Sequence, residues 1–334
     1  MSNPRVFLAC YDRGVTRATE SHDGAWKVDR ALPEFQVTCL AQDPSNPRVV
    51  YAGTREHGVW RSEDRGRTWN EVGLRGQVVK SLAVSPHDSD TLFAGSKPAL
   101  LFRSLDRGAS WQEMEGFRRI PNRWWWFSPA DPPDWRPYII SISPSPADPQ
   151  VILAGIEFGA VVRSEDGGET WSRHLRGTLR DCHSLAFHPR HAEWAYQAGG
   201  SGGGASYSRD GGRTWHKAGR GLAKHYGIVC GADLEEPQHW YVCVGSGPGN
   251  AFGGEPAVYL YRREPDDRWQ PIGWTTHPLR QTPTVLTTLP GHPGEIYAGL
   301  KTGEVWHSPD YGDSWSQLPF NLGGIWFSLL ALVD

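Results

Sequence analysis

The eight residues SEDGGETW at positions 164–171 decide the fold, because four other segments of the chain share their pattern. All five follow the template Ser-x-Asp-x-Gly-x-Ser/Thr-Trp; the others are SEDRGRTW at 62–69, SLDRGASW at 104–111, SRDGGRTW at 208–215 and SPDYGDSW at 308–315. A segment that returns at intervals of a few tens of residues is the sequence signature of a repeat protein.

Tryptophan spacing sets the size of the repeat. Two degenerate copies keep only the closing residue, Trp26 and Trp269, so seven tryptophans follow one another at intervals of 42 to 60 residues. That interval is the length of one four-stranded propeller blade with occasional insertions. Seven strands of one type, such as VVYAGT, TLFAGS and VFLACY, repeat alongside them. Both counts predict seven blades.

The two ends of the chain account for the last blade. Inner strands such as VTCLAQDP and VKSLAVSP precede the YAG-type strands, but the N-terminal strand VFLACY has none before it. The missing strand appears at the C-terminus as WFSLLALVD. Pairing of the two ends leaves no open sheet edge. The predicted fold is all-β, a single seven-bladed β-propeller over residues 1–334, with four-stranded antiparallel blades and a closing blade completed by the C-terminal strand.

The chemistry of the repeated motif indicates a structural role. Aspartate and Ser/Thr hydroxyl groups can satisfy backbone N–H groups inside a tight turn, and glycine adopts a conformation that a Cβ would resist. The tryptophan that ends each motif then packs between blades. We therefore assign structural roles to the five motif aspartates, which are Asp64, Asp106, Asp166, Asp210 and Asp310.

The motif resembles the Asp-box, or BNR, repeat of sialidases, sortilin-type receptors, xyloglucan hydrolases and the photosystem II assembly factor family. In those families the box lies on the face opposite the binding site, so the resemblance implies binding on the other face. The segment FRRIP at 117–121 is similar to the sialidase F/Y-R-I-P motif, which implies that Arg119 binds a carboxylate. In architecture, the single ring looks closest to the assembly-factor family, which is not an enzyme family.

Composition narrows the class of partner. The chain has 34 basic and 37 acidic residues and a net charge of −3, so it shows no electrostatic footprint for nucleic acid or an anionic membrane. No apolar run reaches the length of a membrane span, and the N-terminus does not resemble a secretory signal. Five cysteines without paired spacing favour free, buried thiols. We expect a cytoplasmic protein without a cofactor.

An unusual run of aromatic residues interrupts the regular pattern. RRIPNRWWWFSPADPPDWRPY at 118–138 falls in an inter-blade insertion over residues 116–137, on the face opposite the boxes. In one interpretation, Trp124, Trp125, Trp126 and Trp135 form a platform on which sugar rings stack, and arginines such as Arg119 and Arg123 bind hydroxyls or carboxylates. In the other, the rings plug the channel mouth and never meet a ligand.

Alignment of the inner strands and short turns predicts the polar residues at the channel mouth. The candidate catalytic residues are Glu157, Asp181, His183 and His225. The candidate ligand-binding residues are Arg55, His57, Arg119, Arg123, Trp124, Trp125, Trp126, Trp135, Tyr226, His277 and Arg280.

These candidate residues allow two kinds of chemistry, metal binding and glycoside hydrolysis. His183, His225 and His277 can approach one another with Asp181 or Glu157 as an oxygen ligand, which would make a divalent metal site. Polar lining of a water-filled channel explains the same residues, and we do not favour the metal. Glycoside hydrolysis needs two carboxyl groups about 5 to 10 Å apart, yet turns favour acidic residues for solvation alone.

The sequence therefore predicts a binding module that recognises a carbohydrate-like or acidic ligand, or a protein partner, on the face opposite the boxes. The alternative is a glycoside hydrolase or lyase, related to sialidases, with its site at the channel mouth. An enzyme needs a carboxylate or histidine pair with perturbed pKa values that faces a closed pocket. A protein-binding module needs a broad, exposed aromatic patch.

Overall fold

Seven antiparallel β-sheets follow one another along the chain in a computed structural model. It describes residues 5–10, 12–130, 133–200, 202–253, 256–274, 278–289, 291–326 and 328–332. Each sheet is one blade, and the order of the strands within a blade follows the sequence except in the first, where the C-terminal strand pairs with the N-terminal one. The prediction of an all-β, seven-bladed propeller is confirmed.

The blades are numbered from the N-terminus, and their strands are numbered in chain order. Blade 1 contains β1 (Val6–Cys10), β2 (Val15–Glu20) and β3 (Trp26–Ala31). Blade 2 contains β4 (Val37–Asp43), β5 (Asn46–Thr54), β6 (Val59–Ser62) and β7 (Asn70–Glu71). Blade 3 contains β8 (Val78–Val84), β9 (Leu92–Lys97), β10 (Leu101–Ser104) and β11 (Gln112–Glu113). Blade 4 contains β12 (Ile139–Pro144), β13 (Ile152–Ile156) and β14 (Val161–Ser164). Blade 5 contains β15 (Cys182–Phe187), β16 (Ala195–Gly199), β17 (Gly204–Ser208) and β18 (His216–Lys217). Blade 6 contains β19 (Tyr226–Ala232), β20 (Trp240–Gly245), β21 (Tyr259–Arg263) and β22 (Trp269–Ile272). Blade 7 contains β23 (Pro283–Thr288), β24 (Ile296–Leu300), β25 (Glu304–Ser308) and β26 (Ser316–Asn321), and β27 (Leu329–Leu332) follows it.

Both ends of the chain close the ring. Strand β27 pairs antiparallel with β1, with Phe7 opposite Ala331, and becomes the innermost strand of blade 1. The inner strands then contact one another in a complete circuit, in the order β4, β8, β12, β15, β19, β23, β27 and back to β4. The C-terminal strand therefore completes the closing blade, as the sequence predicts.

Blade 4 departs from the predicted four strands, because its outermost segment pairs partly through side chains. The Ser172 N–H donates to the Arg163 carbonyl at 2.8 Å, and the Leu175 N–H donates to the Val161 carbonyl at 2.9 Å. In return, the Arg163 N–H donates to Ser172 Oγ and the Val161 N–H donates to His174 Nδ1. Residues 172–175 thus take the place of a fourth strand without forming a regular ladder.

Each Asp box is a closed network of short-range hydrogen bonds. At 208–215, Ser208 Oγ donates to Asp210 at 2.8 Å and accepts the Gly212 N–H at 2.9 Å. Asp210 also accepts the N–H and the hydroxyl of Thr214, at 2.9 and 2.6 Å. The Trp215 indole donates to the Gly212 carbonyl at 3.0 Å, and Gly212 has a φ of 79°, which favours glycine.

The same aspartate-centred network recurs in the other four boxes, which supports the structural role assigned to their aspartates. It is formed around Asp64, Asp106, Asp166 and Asp310. Only the tryptophan bond varies: the Trp111 indole donates to the Val72 carbonyl of the neighbouring blade instead of to a residue of its own box. The boxes join the third strand of a blade to its outermost segment and mark one face of the ring.

Helical structure among the described residues is confined to short turns. These are α1 (Glu115–Arg118), a 3-10 turn (Arg123–Trp125) and α2 (Pro248–Phe252). No helix in the described part of the chain is long and apolar enough to cross a membrane. All five cysteines are free and buried in the sheets.

Candidate functional site

The insertion over residues 116–137 lies on the face opposite the boxes. Lys97 Nζ, at the end of β9, donates to the Asp134 carbonyl at 2.9 Å, and Arg123 Nη2 donates to the Ala99 carbonyl at 2.6 Å. The turn that holds Lys97 and Ala99 joins β9 to β10, whereas the box of the same blade joins β10 to β11. The insertion therefore covers the end of blade 3 away from its box.

Part of the insertion faces inward and anchors the rest. Phe117 is fully buried, and Trp126 packs against the core shared by blades 3 and 4. The Arg123 guanidinium lies 5.4 Å from the centre of each of these two rings and donates to the Phe117 carbonyl at 3.1 Å. Arg123 and Trp126, both predicted to bind ligand, are thus engaged within the protein.

Four other rings of the insertion point outward. The exposed fractions are 74% for Trp124, 59% for Trp125, 46% for Phe127 and 54% for Trp135. Trp124 and Trp125 stack on each other with ring centres 4.5 Å apart. We call these four residues the aromatic surface; a concentration of exposed large rings of this kind is typical of interaction sites.

A cavity of about 620 Å³ lies at the centre of the ring and opens on the face that carries the insertion. We call it the central cavity. Its polar and aromatic lining includes Asp12, Arg55, Lys80, Tyr138, Glu157, His183, Tyr226, Phe252 and Trp326. No residue of the aromatic surface lines it, although Ala130, within the insertion, and Tyr138, directly after it, do. The predicted platform and the channel mouth are therefore two separate regions.

Three of the four candidate catalytic residues meet on one wall of the central cavity. Glu157 follows β13, and Asp181 and His183 lie at the start of β15 in the next blade. His183 Nε2 is 3.3 Å from Asp181 Oδ1 and 3.9 Å from Glu157 Oε2. We call this group the carboxylate–histidine cluster. His225 is exposed and lies outside it, so among the described residues the cluster joins one histidine to two carboxylates.

A repeated β-bulge directs His183 toward the cavity. In β15 the register shifts between Cys182 and Ser184, which leaves His183 as the extra residue. The first strands of five other blades shift at the corresponding place, and there the extra residues are Thr38, Lys80, Ile140, Ile228 and Thr284. Bulges reorient side chains and are frequent beside functional sites. Thr38, Lys80, Ile140 and His183 all line the central cavity.

Neighbouring blades fix the orientation of the cluster. His183 Nδ1 is 2.6 Å from the Gly227 carbonyl on β19, so this nitrogen carries a proton and Nε2 faces the carboxylates. The Tyr226 ring lies 4.9 Å from the imidazole. Asp181 is 1% exposed, and a Cβ at position 200 would collide with its Oδ2, so glycine is required there.

Burial and mutual charge perturb both titrating partners. Burial raises the pKa of Glu157 to about 7, and the nearby Asp181 acts in the same direction, whereas His183 and Lys80 oppose the rise. Burial lowers the pKa of His183, but the hydrogen bond to Asp181 and the charges of both carboxylates outweigh it and raise this pKa to about 9. The cavity wall therefore holds a carboxyl group that titrates near neutrality beside an imidazolium.

The remaining predicted residues separate into those at the cavity and those away from it. Arg55 and Tyr226 line the cavity. The His57 ring packs on Phe35 at 4.5 Å and does not line it. The others that do not line it are the exposed residues Arg119, His225 and Arg280; His277 lies outside the described residues.

Several residues that line the central cavity were not identified as site candidates from the sequence. Tyr138 stands over Lys80, whose Nζ is 4.6 Å from the ring centre, and its side chain hydrogen-bonds Glu157. Phe252 comes from α2 in a glycine-rich loop, and Trp326 comes from the segment before β27. Tyr138 and Phe252 belong to no repeated motif, and Trp326 opens the C-terminal inner strand at a place that the other inner strands do not mark, so no signal in the sequence separates them from ordinary strand and loop residues.

Comparison with known proteins supports the repeat and the fold. Residues 59–72 match the BNR-Asp box repeat family, and residues 206–217 match the BNR/Asp-box repeat family. No curated protein sequence matches the chain significantly.

Solved structures of two kinds are similar to the chain. The GH74 xyloglucanase from Xanthomonas campestris has a TM-score of 0.63 and 20% identity over 85% of this chain and 45% of that one. YCF48 from Cyanidioschyzon merolae has a TM-score of 0.59 and 14% identity over 86% of both chains. YCF48 bound to D1 peptide has a TM-score of 0.57 and 16% identity over 90% of this chain and 92% of that one. The chain spans less than half the length of the xyloglucanase, and identities this low show the fold alone.

Proposed function

We propose that this protein is a binding propeller that takes a small polar ligand, carbohydrate-like or acidic, into its central cavity from the face opposite the Asp boxes. The observation that carries the proposal is the carboxylate–histidine cluster on the cavity wall. Buried titratable groups with perturbed pKa values, facing a cavity, are typical of functional sites. Neighbours of the same fold include a xyloglucanase, named for action on a carbohydrate.

The lining suits a ligand with hydroxyl and acidic groups. Arg55 and Lys80 provide positive charge, and the Tyr138 and Tyr226 rings provide apolar faces next to polar atoms. Glu157 can accept hydrogen bonds from ligand hydroxyls while His183 donates through Nε2. A sugar acid presents all three features: a ring face, hydroxyl donors and a carboxylate.

A thermal-shift screen tests the proposal. The panel contains neutral oligosaccharides, uronic acids and sialic acid, and each is added to the wild type and to Glu157→Gln. A ligand at one hundred times its dissociation constant adds about 2.7 kcal/mol to the free energy of unfolding. We expect a stabilising sugar in the wild type whose effect is lost in Glu157→Gln. A flat response to the whole panel would contradict a sugar-like ligand.

A protein partner at the aromatic surface is a second candidate, and a separate observation favours it. Four of the large exposed apolar side chains in the described residues come from this one insertion, which is anchored by Phe117 and Trp126. Exposed tryptophans on a rigid base are typical of protein-binding hot spots. A solved neighbour of similar length binds a peptide. Binding to an immobilised partner that is lost in Trp124→Ala and kept in Glu157→Gln would favour this function.

The glycoside hydrolase alternative draws on one property of Glu157. A carboxyl group with a pKa of about 7 can act as a general acid near neutral pH. A neighbouring carboxylate, Asp181, is buried with an oxygen within 4.8 Å of one of Glu157 and does not line the cavity, so the two do not flank a space for a glycosidic bond. Release of reducing ends from a stabilising oligosaccharide by the wild type, and not by Glu157→Gln, would establish the hydrolase.

A further inference from the structure

We infer that Glu157, Asp181 and His183 form a binding site for a divalent cation on the wall of the central cavity. Each residue offers one ligand atom, and these three atoms lie within 4.8 Å of one another. Ligands held at about 2.0 to 2.5 Å from one ion are separated by up to about 4 to 5 Å. The spacing therefore accommodates a single ion with small side-chain adjustments.

The imidazole is oriented as a metal ligand requires. His183 Nδ1 is 2.6 Å from the Gly227 carbonyl, which leaves Nε2 to face the two carboxylates. Histidines that bind metals usually donate the proton of the other ring nitrogen to a carbonyl or carboxylate, which fixes the tautomer and the ring position. The backbone of blade 6 provides that support here.

A buried carboxylate oxygen that depends on His183 alone supports a cation at this position. Asp181 is 1% exposed, and the one donor that the described residues hold near its Oδ1 is a protonated His183 Nε2, 3.3 Å away. When His183 loses that proton, the buried oxygen is left without a donor, which is costly. A cation that takes the place of the proton between Asp181 Oδ1 and His183 Nε2 would satisfy the oxygen and be bound by both residues.

The ligand set and the access route narrow the kind of ion. One imidazole nitrogen with two carboxylates suits Zn²⁺ or Mn²⁺ better than Ca²⁺, which prefers a shell made only of oxygen atoms. Glu157 and His183 line the central cavity, so solvent or a bound ligand can fill the remaining coordination positions. The inference concerns the same wall as the proposed function but does not require the sugar ligand.

Calorimetric titration of untagged, chelator-treated and dialysed protein with Zn²⁺, and separately with Mn²⁺, tests the site. We expect one ion bound per chain in the wild type. His183→Ala should weaken binding by about 100-fold or more, and Glu157→Gln by about 10-fold or more. His225→Ala is the matched control, because this exposed histidine in the next blade lies outside the cluster.

Two results would overturn the inference: no binding up to about 1 mM ion, or equal binding by the wild type and His183→Ala. If His183→Ala does not fold, Glu157→Gln decides, and binding unchanged from the wild type would reject the site. The outcome is separable from the proposed function. Ion binding without any sugar response supports the cation site alone, whereas a sugar response that persists with chelator, without ion binding, rejects the cation site alone.

Discussion

The two faces of the ring differ in where their polar side chains find hydrogen-bond partners. On the box face, the five turns repeat one network, and each box aspartate finds its hydrogen-bond partners within four residues of itself. On the other face, the Gly227 carbonyl that holds His183 comes from a neighbouring blade, and Asp181 Oδ1 depends on the His183 imidazole alone among the described residues. The first face is repetitive because it stabilises each blade, whereas the second differs from blade to blade.

The bulge positions show the difference most directly. The backbone irregularity is shared by six inner strands, yet the residue it presents is threonine in two blades, isoleucine in two, lysine in one and histidine in one. The backbone conformation is thus repeated, whereas the side chain at the bulge differs from blade to blade. The bulges present Lys80 in blade 3 and His183 in blade 5, and Glu157 of blade 4 lines the cavity with them.

A fall in pH should weaken all five boxes at once, and we expect it to cause the largest loss of stability among these predictions. Burial favours the neutral carboxyl at Asp64, Asp166, Asp210 and Asp310, but hydrogen bonds from the turn outweigh it and lower each pKa; hydrogen bonds from Ser110 lower the pKa of Asp106. A lowered folded pKa contributes stability above the ordinary value near 4 that is lost as the pH falls. Urea unfolding midpoints should drop between about pH 4 and pH 2, and a pH-independent midpoint would contradict this.

Truncation of the inward ring should destabilise more than truncation of the outward rings. Trp126→Ala removes a partly buried ring that contacts Phe117 and the core, and we expect a loss of about 3 kcal/mol in the free energy of unfolding. The matched variant Trp124→Ala should change it by less than about 0.5 kcal/mol, because that ring is exposed. Chemical denaturation measures both. Equal losses would mean that the aromatic surface is a plug.

Loss of a single box should destabilise the protein less than loss of the Trp126 ring. Asp210→Ala removes the acceptor for Thr214 and Ser208, and we expect a loss of about 2 kcal/mol in the free energy of unfolding. Asp266→Ala is the control, because this aspartate lies in an exposed turn and, among the described residues, its side chain bonds only Arg268. Its melting temperature should match the wild type. Equal melting temperatures for the two variants would remove the structural role of the box.

Substitution in the central cavity should change the stability of the protein less than substitution in the other regions. Glu157→Gln keeps the shape of the side chain and removes a charge that burial disfavours, so the free energy of unfolding should change by less than about 1 kcal/mol. Ligand binding should nevertheless be lost. Thermal melts of the variant with and without the stabilising sugar check both points, and a variant that unfolds would mean that Glu157 is structural.

The box face could be predicted from sequence because its determinants are local. Ser, Asp, Gly, Ser/Thr and Trp at fixed offsets specify the turn, and the intervals between copies specify the blades. The irregular fourth segment of blade 4 was not predicted in this way, because Ser172 and His174 pair with the third strand through their side chains.

The cavity face could be predicted only in part, because its determinants are distant in sequence. Strand alignment placed Glu157, Asp181 and His183 at the mouth, but the bulge and the Gly227 carbonyl that orient His183 depend on the neighbouring strands. The tryptophan run presented the same difficulty. Which ring turns inward depends on the turn that starts at Asn122, with a φ of 65°, and on the core it meets.

Isothermal titration with the strongest sugar of the panel tests the central claim, that the cavity and not the aromatic surface receives the ligand. The wild type is compared with Glu157→Gln and with a Trp124→Ala, Trp125→Ala double variant. We predict that Glu157→Gln loses binding and that the double variant keeps the affinity of the wild type. Loss of binding in the double variant, with full affinity in Glu157→Gln, would place the site on the aromatic surface and contradict the account.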